Sequence, residues 1–251
     1  MNSLEIAALF ARTLLGGYDG EDAWEAVHTL RLDGSREVFE QVAAWCVSKE
    51  PLKRARAADI LGQLRGDYED SYSLITQMLE SEQDPQVISS AISALGHLGN
   101  ASALATILSY QDHPTDDVRY AVTHALGCFP NDPRSVHGLL KLTSDTSAEI
   151  RDWAVFGLGV QGDADSPEIR QALLRCLDDM DEDVREEAAV GLGKRRDQRL
   201  IPTLLAMLDH PGVKIRVAEA AVALLALDKD PPEWTAADYR AALLSKFQIS
   251  D

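Results

Sequence analysis

Residues 149–159 read EIRDWAVFGLG, and four close relatives of this stretch recur in the chain: LKRARAADILG (52–62), QVISSAISALG (86–96), DVRYAVTHALG (117–127) and DVREEAAVGLG (183–193). Aligned on the residue that follows the aliphatic, the copies give Arg54, Ile88, Arg119, Arg151, Arg185 and Arg216, at intervals of 34, 31, 32, 34 and 31 residues. A period in that range marks a repeat architecture. One interval further back lies Ala23, in the degenerate copy AWEAVHTL.

Taking the anchor as position zero, an aliphatic residue stands at −1 (Val87, Val118, Ile150, Val184, Ile215), with Lys53 in the earliest full copy. A small or aliphatic residue stands at +3 (Ala57, Ala91, Val122, Ala154, Ala188) and leucine at +7 (Leu61, Leu95, Leu126, Leu158, Leu192). Steps of four stack on one side of an α-helix. Glu50, Asp84, Thr115, Ser147, Asp181 and Gly212 at −4 mark the helix start. A second apolar helix lies between copies: 39–47, 72–80, 101–110, 136–143, 169–177 and 200–208. Residues 3–15 and 235–247 add a helix at each end, and DKDPPEW (228–234) is a proline-containing turn. Neither helix of a pair can bury its apolar stripe alone, so the pairs must stack. No strand pattern is visible. The expected fold is all-α: one solenoid over residues 1–251 of about seven helix pairs, with an N-terminal cap pair (1–34), central repeats (35–228) and a C-terminal capping helix (229–251).

Forty-one acidic residues against 24 Lys and Arg give a formal charge of −17. That argues against nucleic-acid binding, which needs cations to displace counterions from phosphate, and suits a soluble protein or one that meets a basic partner. Cys46, Cys128 and Cys176 are widely spaced, odd in number and without C-x-x-C spacing, which fits a reducing, cytoplasmic setting. No basic leader and no apolar run of about 20 residues is present, so neither a secretory signal nor a membrane span is expected.

Several short patterns fail as chemistry. D-x-D-x-D at 179–183 opens like a calcium loop, but Val184 and Val190 occupy the positions that need Gly and Glu; acids there favour the helix start. GLGVQG (157–162) matches G-x-G-x-x-G but follows a helix rather than a strand. KRRDQR (194–199) is too short for a nucleic-acid patch and suits a helix end. The six histidines form neither H-E-x-x-H nor a His-Glu pair. Tyr120 and His124 lie one helical turn apart, with no accompanying nucleophile or oxyanion device. No cofactor and no enzymatic activity is expected.

The repeat resembles the short HEAT-repeat type with the signature D-x-x-V-R-x-x-A-x-x-x-L-G, over about residues 20–228; Ile88 and Glu219 depart from it. The resemblance implies a right-handed α-solenoid whose signature helix lines a concave surface. Positions +1, +2 and +5 would then floor a groove. Along the chain this floor is Trp24, Glu25 and His28; Ala55, Arg56 and Asp59; Ser89, Ser90 and Ser93; Tyr120, Ala121 and His124; Asp152, Trp153 and Phe156; Glu186, Glu187 and Val190. HEAT-like DNA glycosylases and bilin-lyase-like proteins share the repeat, yet only Arg56 on the expected floor could meet a phosphate and no cysteine lies on it. E-x-R-x-W-A-x-F (149–156), a D-x-x-E-I-R ending at Arg170 and D-x-D-V-R-x-E-A-x-x-G-L (181–192) resemble bacterial HEAT-repeat proteins encoded beside Rhs-type toxins, for which an immunity role is implied. The expectation is a groove that binds a basic protein, with Trp24, Tyr120, Trp153 and Phe156 as apolar anchors and Glu25, Asp59, Asp152, Glu186 and Glu187 as charge partners; His28, Arg56 and His124 complete the set. A toxin domain is the most concrete such partner.

Overall fold

The computed structural model describes residues 1–66, 70–210, 215–228, 231 and 233–249, and these are helical with no strand. Gly212 and residues 229, 230 and 232 of the expected DKDPPEW turn lie outside the described residues. The chain packs as two compact units, Met1–Phe129 and Pro130–Asp251.

The first unit holds α1 (Ser3–Arg12), α2 (Glu21–Asp33), α3 (Arg36–Trp45), α4 (Pro51–Leu61), α5 (Asp70–Leu79), α6 (Pro85–Leu98), α7 (Leu104–Ser109) and α8 (Asp116–Gly127). The second holds α9 (Pro133–Leu142), α10 (Ala148–Phe156), α11 (Pro167–Cys176), α12 (Glu182–Lys194), α13 (Ile201–Leu208), α14 (Ile215–Leu225) and α15 (Ala236–Phe247). The even-numbered helices carry the signature. They pack side by side as α2, α4, α6 and α8 in one unit and as α10, α12 and α14 in the other. Among the described residues, seven helix pairs and the terminal helix α15 result, as the period predicts.

The apolar stripe is sealed: Val87, Ala91 and Leu95 on α6, and Val184, Ala188 and Leu192 on α12, have no solvent exposure. The signature glycine lets neighbouring helices close up. A Cβ on Gly96 would stand 2.8 Å from Ala125 Cα of α8. All five described −4 residues are N-cap positions, but only the aspartates Asp84 and Asp181 cap with their side chains. The signature arginine does related work. Nη1 of Arg54, Arg119, Arg151 and Arg185 donates to the carbonyl six residues earlier, closing the loop before its own helix. Arg54 and Arg151 also grip an acid 28 residues ahead, Glu82 and Asp179, with both oxygens engaged.

In α10 the helix continues as a wider π turn, Gly157–Gln161, closed by Gly162 N donating to Gly157 O at 3.1 Å. Carbonyls there would lack partners. Arg195 and Lys194, from the end of α12, donate to Leu158, Gly159, Ala164 and Val160 oxygens. The KRRDQR segment therefore caps its neighbour in the stack.

Candidate functional site

In the first unit a cleft of about 420 Å³ opens over the signature row. Tyr18, Trp24, Arg31, Asp59, Gln63, Ser89, Ser90, Ser93, His97, Asp117 and Tyr120 line it, with Ala94 and Ala121. Its wall is set by Arg56, which has no exposed surface. The Arg56 guanidinium lies between the rings of Tyr18 and Trp24, 4.7 and 4.6 Å from their centroids. It donates to the carbonyl oxygens of Thr13, Gly17 and Tyr18 and sits 3.4 Å from Asp59 Oδ2. Those contacts fix the α1–α2 loop, where Gly16 and Gly17 take positive φ. Tyr18 is thereby held so that its hydroxyl donates to Asp59 Oδ1 at 3.2 Å and hydrogen-bonds Ser90 Oγ at 3.0 Å.

Burial raises the Asp59 carboxyl above its ordinary range, and Ser90, Arg56, Arg31 and Tyr18 oppose that rise. Burial also raises the Tyr18 phenol. Arg31 Nε donates to Asp59 O at 2.9 Å and its Nη1 to Gln63 Oε1 at 3.1 Å. The Gln63 amide reaches the His97 ring at 3.1 Å. Burial, with Arg31 and His124 nearby, lowers the His97 pKa. Ser89 Oγ is buried without a hydrogen-bond partner.

The second unit presents a different cluster. On α10, Trp153 and Phe156 meet edge to face, with centroids 5.6 Å apart, and both are half-buried. Asp152 stands beside them. Arg216 of α14 places Nε 2.9 Å from Glu187 Oε1, and Nη1 3.9 Å from Asp183 Oδ1 and 4.0 Å from Asp152 Oδ1. Burial pushes the Glu187 carboxyl up to about 7, against the pull of Arg216, and raises Asp152 in the same way. Among the described residues no group of three or more His, Cys, Asp or Glu is placed to hold a metal ion.

The expected open floor is therefore corrected at nine positions, five of them the buried small or apolar residues Ala55, Ser89, Ser90, Ala121 and Val190. Arg56 and Asp59 in the first unit, and Glu186 and Glu187 in the second, are buried rather than presented to a partner. Close packing of the signature helices turns these flank positions toward a neighbour: Arg56 against Trp24 of α2, Glu187 against Arg216 of α14. Glu25 and His28 are exposed, and Glu25 pairs with Arg12. Trp24 and Tyr120 are half-buried in the cleft wall and His124 is exposed. Tyr18, Arg31, Gln63, His97, Asp117 and Arg216 also belong to these clusters, although the repeat register does not mark them as site residues. Tyr18 lies in a loop outside the repeat. Arg216 occupies the anchor position, and its guanidinium faces the carboxylates of Asp152, Asp183 and Glu187.

The geometry defines an all-α repeat protein, built of stacked helix pairs, with polar clusters on its signature row. The model for HEAT repeats matches residues 72–159 and 136–225, more than half of the chain, and the chain belongs to that family. It is 25% identical to Protein YibA of Escherichia coli K12 over 218 residues, 83% of this chain and 77% of that protein. The X-ray structure of YibA superposes with a TM-score of 0.77 at 22% identity, covering 100% of this chain and 93% of the other. A designed armadillo repeat protein in complex with the peptide (KR)4 gives a TM-score of 0.50 at 17% identity, covering 88% and 99%. The chain is a HEAT-repeat scaffold whose fold resembles that designed repeat protein. No helix among the described residues is long and apolar enough to cross a membrane.

Proposed function

We propose that this chain is a non-enzymatic binding protein that takes a basic protein partner on the face of its signature helices. The observation that carries the reading is the edge-to-face Trp153–Phe156 pair, half-buried on α10 beside Asp152, in a molecule of formal charge −17. Half-buried aromatics rimmed by charge are the usual anchors of interfaces. The acidic background speeds encounter with a cation-rich surface. The designed armadillo repeat protein that resembles it in fold is in complex with a basic peptide, which agrees with this reading. Its most concrete form is neutralisation of a toxin domain: a toxin acting on nucleic acid is basic, and an acidic face can occlude it.

Affinity capture from the native host, followed by calorimetry with the captured protein, tests the reading. A partner of net positive charge is expected, and Trp153→Ala should weaken it by about 2–4 kcal/mol. Unchanged affinity would remove Trp153 from the interface. Retention of the protein on duplex DNA at low salt would favour a nucleic-acid enzyme instead.

A further inference from the structure

We infer that the cleft over α2, α4, α6 and α8 is a socket for a lysine side chain of the partner, an inference that rests on the reading of a basic protein partner. The starting point is Ser89. Ser89 as a residue is 9% exposed and lines the cleft, while its hydroxyl oxygen is closed to solvent and has no hydrogen-bond partner among the described residues. Native structures rarely leave such a group unsatisfied. A turn about the Ser89 Cα–Cβ bond would bring the hydroxyl to the cleft, where a bound polar group supplies the missing bond.

The rest of the lining selects the class of that group. Trp24, Tyr120, Ala94 and Ala121 offer apolar wall for a hydrocarbon stem. Ser89, Ser93 and Asp117 offer oxygens, and an ammonium carries three donors and no acceptor. Two carboxylates, Asp59 and Asp117, line the cleft and disfavour an anion. Arg31 in the lining keeps its charge while donating to the neutral Asp59 O and Gln63 Oε1, and Arg56 pairs with Asp59, so the exposed Asp117 is the carboxylate that meets the guest. A guanidinium guest would seek an aromatic face, but Arg56 and Arg31 already lie over the Trp24 ring, at 4.6 and 5.8 Å. A compact ammonium on a flexible stem needs no such face.

The four tryptophans give the readout. The full-length protein, labelled with ¹⁵N, is titrated with three capped pentapeptides that differ only at the central residue: lysine, Nε-acetyl-lysine or norleucine. The lysine peptide should shift the Trp24 indole signal saturably; the other two should not. Ser89→Ala and Asp117→Asn should each weaken that binding threefold or more. Ser89→Ala should do so with a melting temperature equal to or above wild type, because it removes an unsatisfied buried hydroxyl. A Trp24 signal unmoved by the lysine peptide, equal binding of the acetylated peptide, or unaltered binding by both variants would overturn the socket. Movement of Trp153 with Trp24 silent would also sink the socket while leaving the basic-partner reading intact. Loss of that reading would appear separately, as a captured partner without net positive charge.

Discussion

At the residue scale, Arg56 was expected to greet a partner and instead holds the first unit together. Arg56 is enclosed by three carbonyl oxygens, Asp59 and two aromatic rings. Removing it would leave those acceptors and the Asp59 carboxylate buried without their cation. Arg56→Ala should therefore cost about 3–5 kcal/mol of stability, read by urea unfolding. Arg56→Lys should recover little, because one ammonium cannot fill the fork. Glu187 acts in the opposite sense. Its native pKa of about 7 lies above the ordinary 4.5, so the folded state holds the proton more tightly than the unfolded chain. The stabilisation it gives is complete below about pH 4.5 and is lost as pH rises through 7. Glu187→Gln should remove that loss, flattening the stability profile between pH 5 and 8 by about 1–2 kcal/mol, with screening by the partly exposed Arg216 surroundings allowed for. Unfolding curves at four pH values in that interval would show it; an unchanged slope would mean the carboxyl titrates as if in water.

At the scale of the helix, the signature is a packing code. Gly96 exists because α6 and α8 approach so closely that a Cβ would meet Ala125 Cα at 2.8 Å. Gly96→Ala should cost about 1–3 kcal/mol by overpacking despite the better helix propensity of alanine. Pairing it with Ala125→Gly should restore part of the loss in melting temperature; no restoration would place the strain elsewhere. This code is what made the elements legible. The leucine, alanine and glycine positions announce the paired helices, and each signature helix begins where its −4 residue stands wherever the structure describes it. The site was less legible. A helical wheel tells which side of one helix is not its own stripe, but not how near the next helix comes. Hence Arg56, Asp59, Glu186 and Glu187 were placed on an open floor that packing closes. Tyr18 had no register to be placed in, and Arg216 reads as another rung of the arginine series although its guanidinium faces Glu187. Even the π turn at Gly157–Gln161 was hidden, because glycines that widen a helix look like glycines that end one.

At the scale of the molecule, charge is the property that ties sequence to function. Burial raises the Glu187 and Asp59 carboxyls and so trims their charge, but the field is set by 41 acids against 24 bases. Summed potential acts at a distance and governs encounter, whereas the half-buried aromatics act on contact. The two effects separate in kinetics. Raising salt from about 20 to 300 mM shortens the screening length from about 20 Å to about 6 Å. The association rate with a basic partner should then fall by about tenfold or more, while dissociation changes little. Trp153→Ala should do the reverse, speeding dissociation with a nearly unaltered salt dependence of association. Stopped-flow measurement of both rates for wild type and variant resolves the matter. An association rate indifferent to salt would show that the acidic field does not steer the partner. The surplus of acids would then serve solubility, leaving recognition to the aromatic pair and the cleft alone.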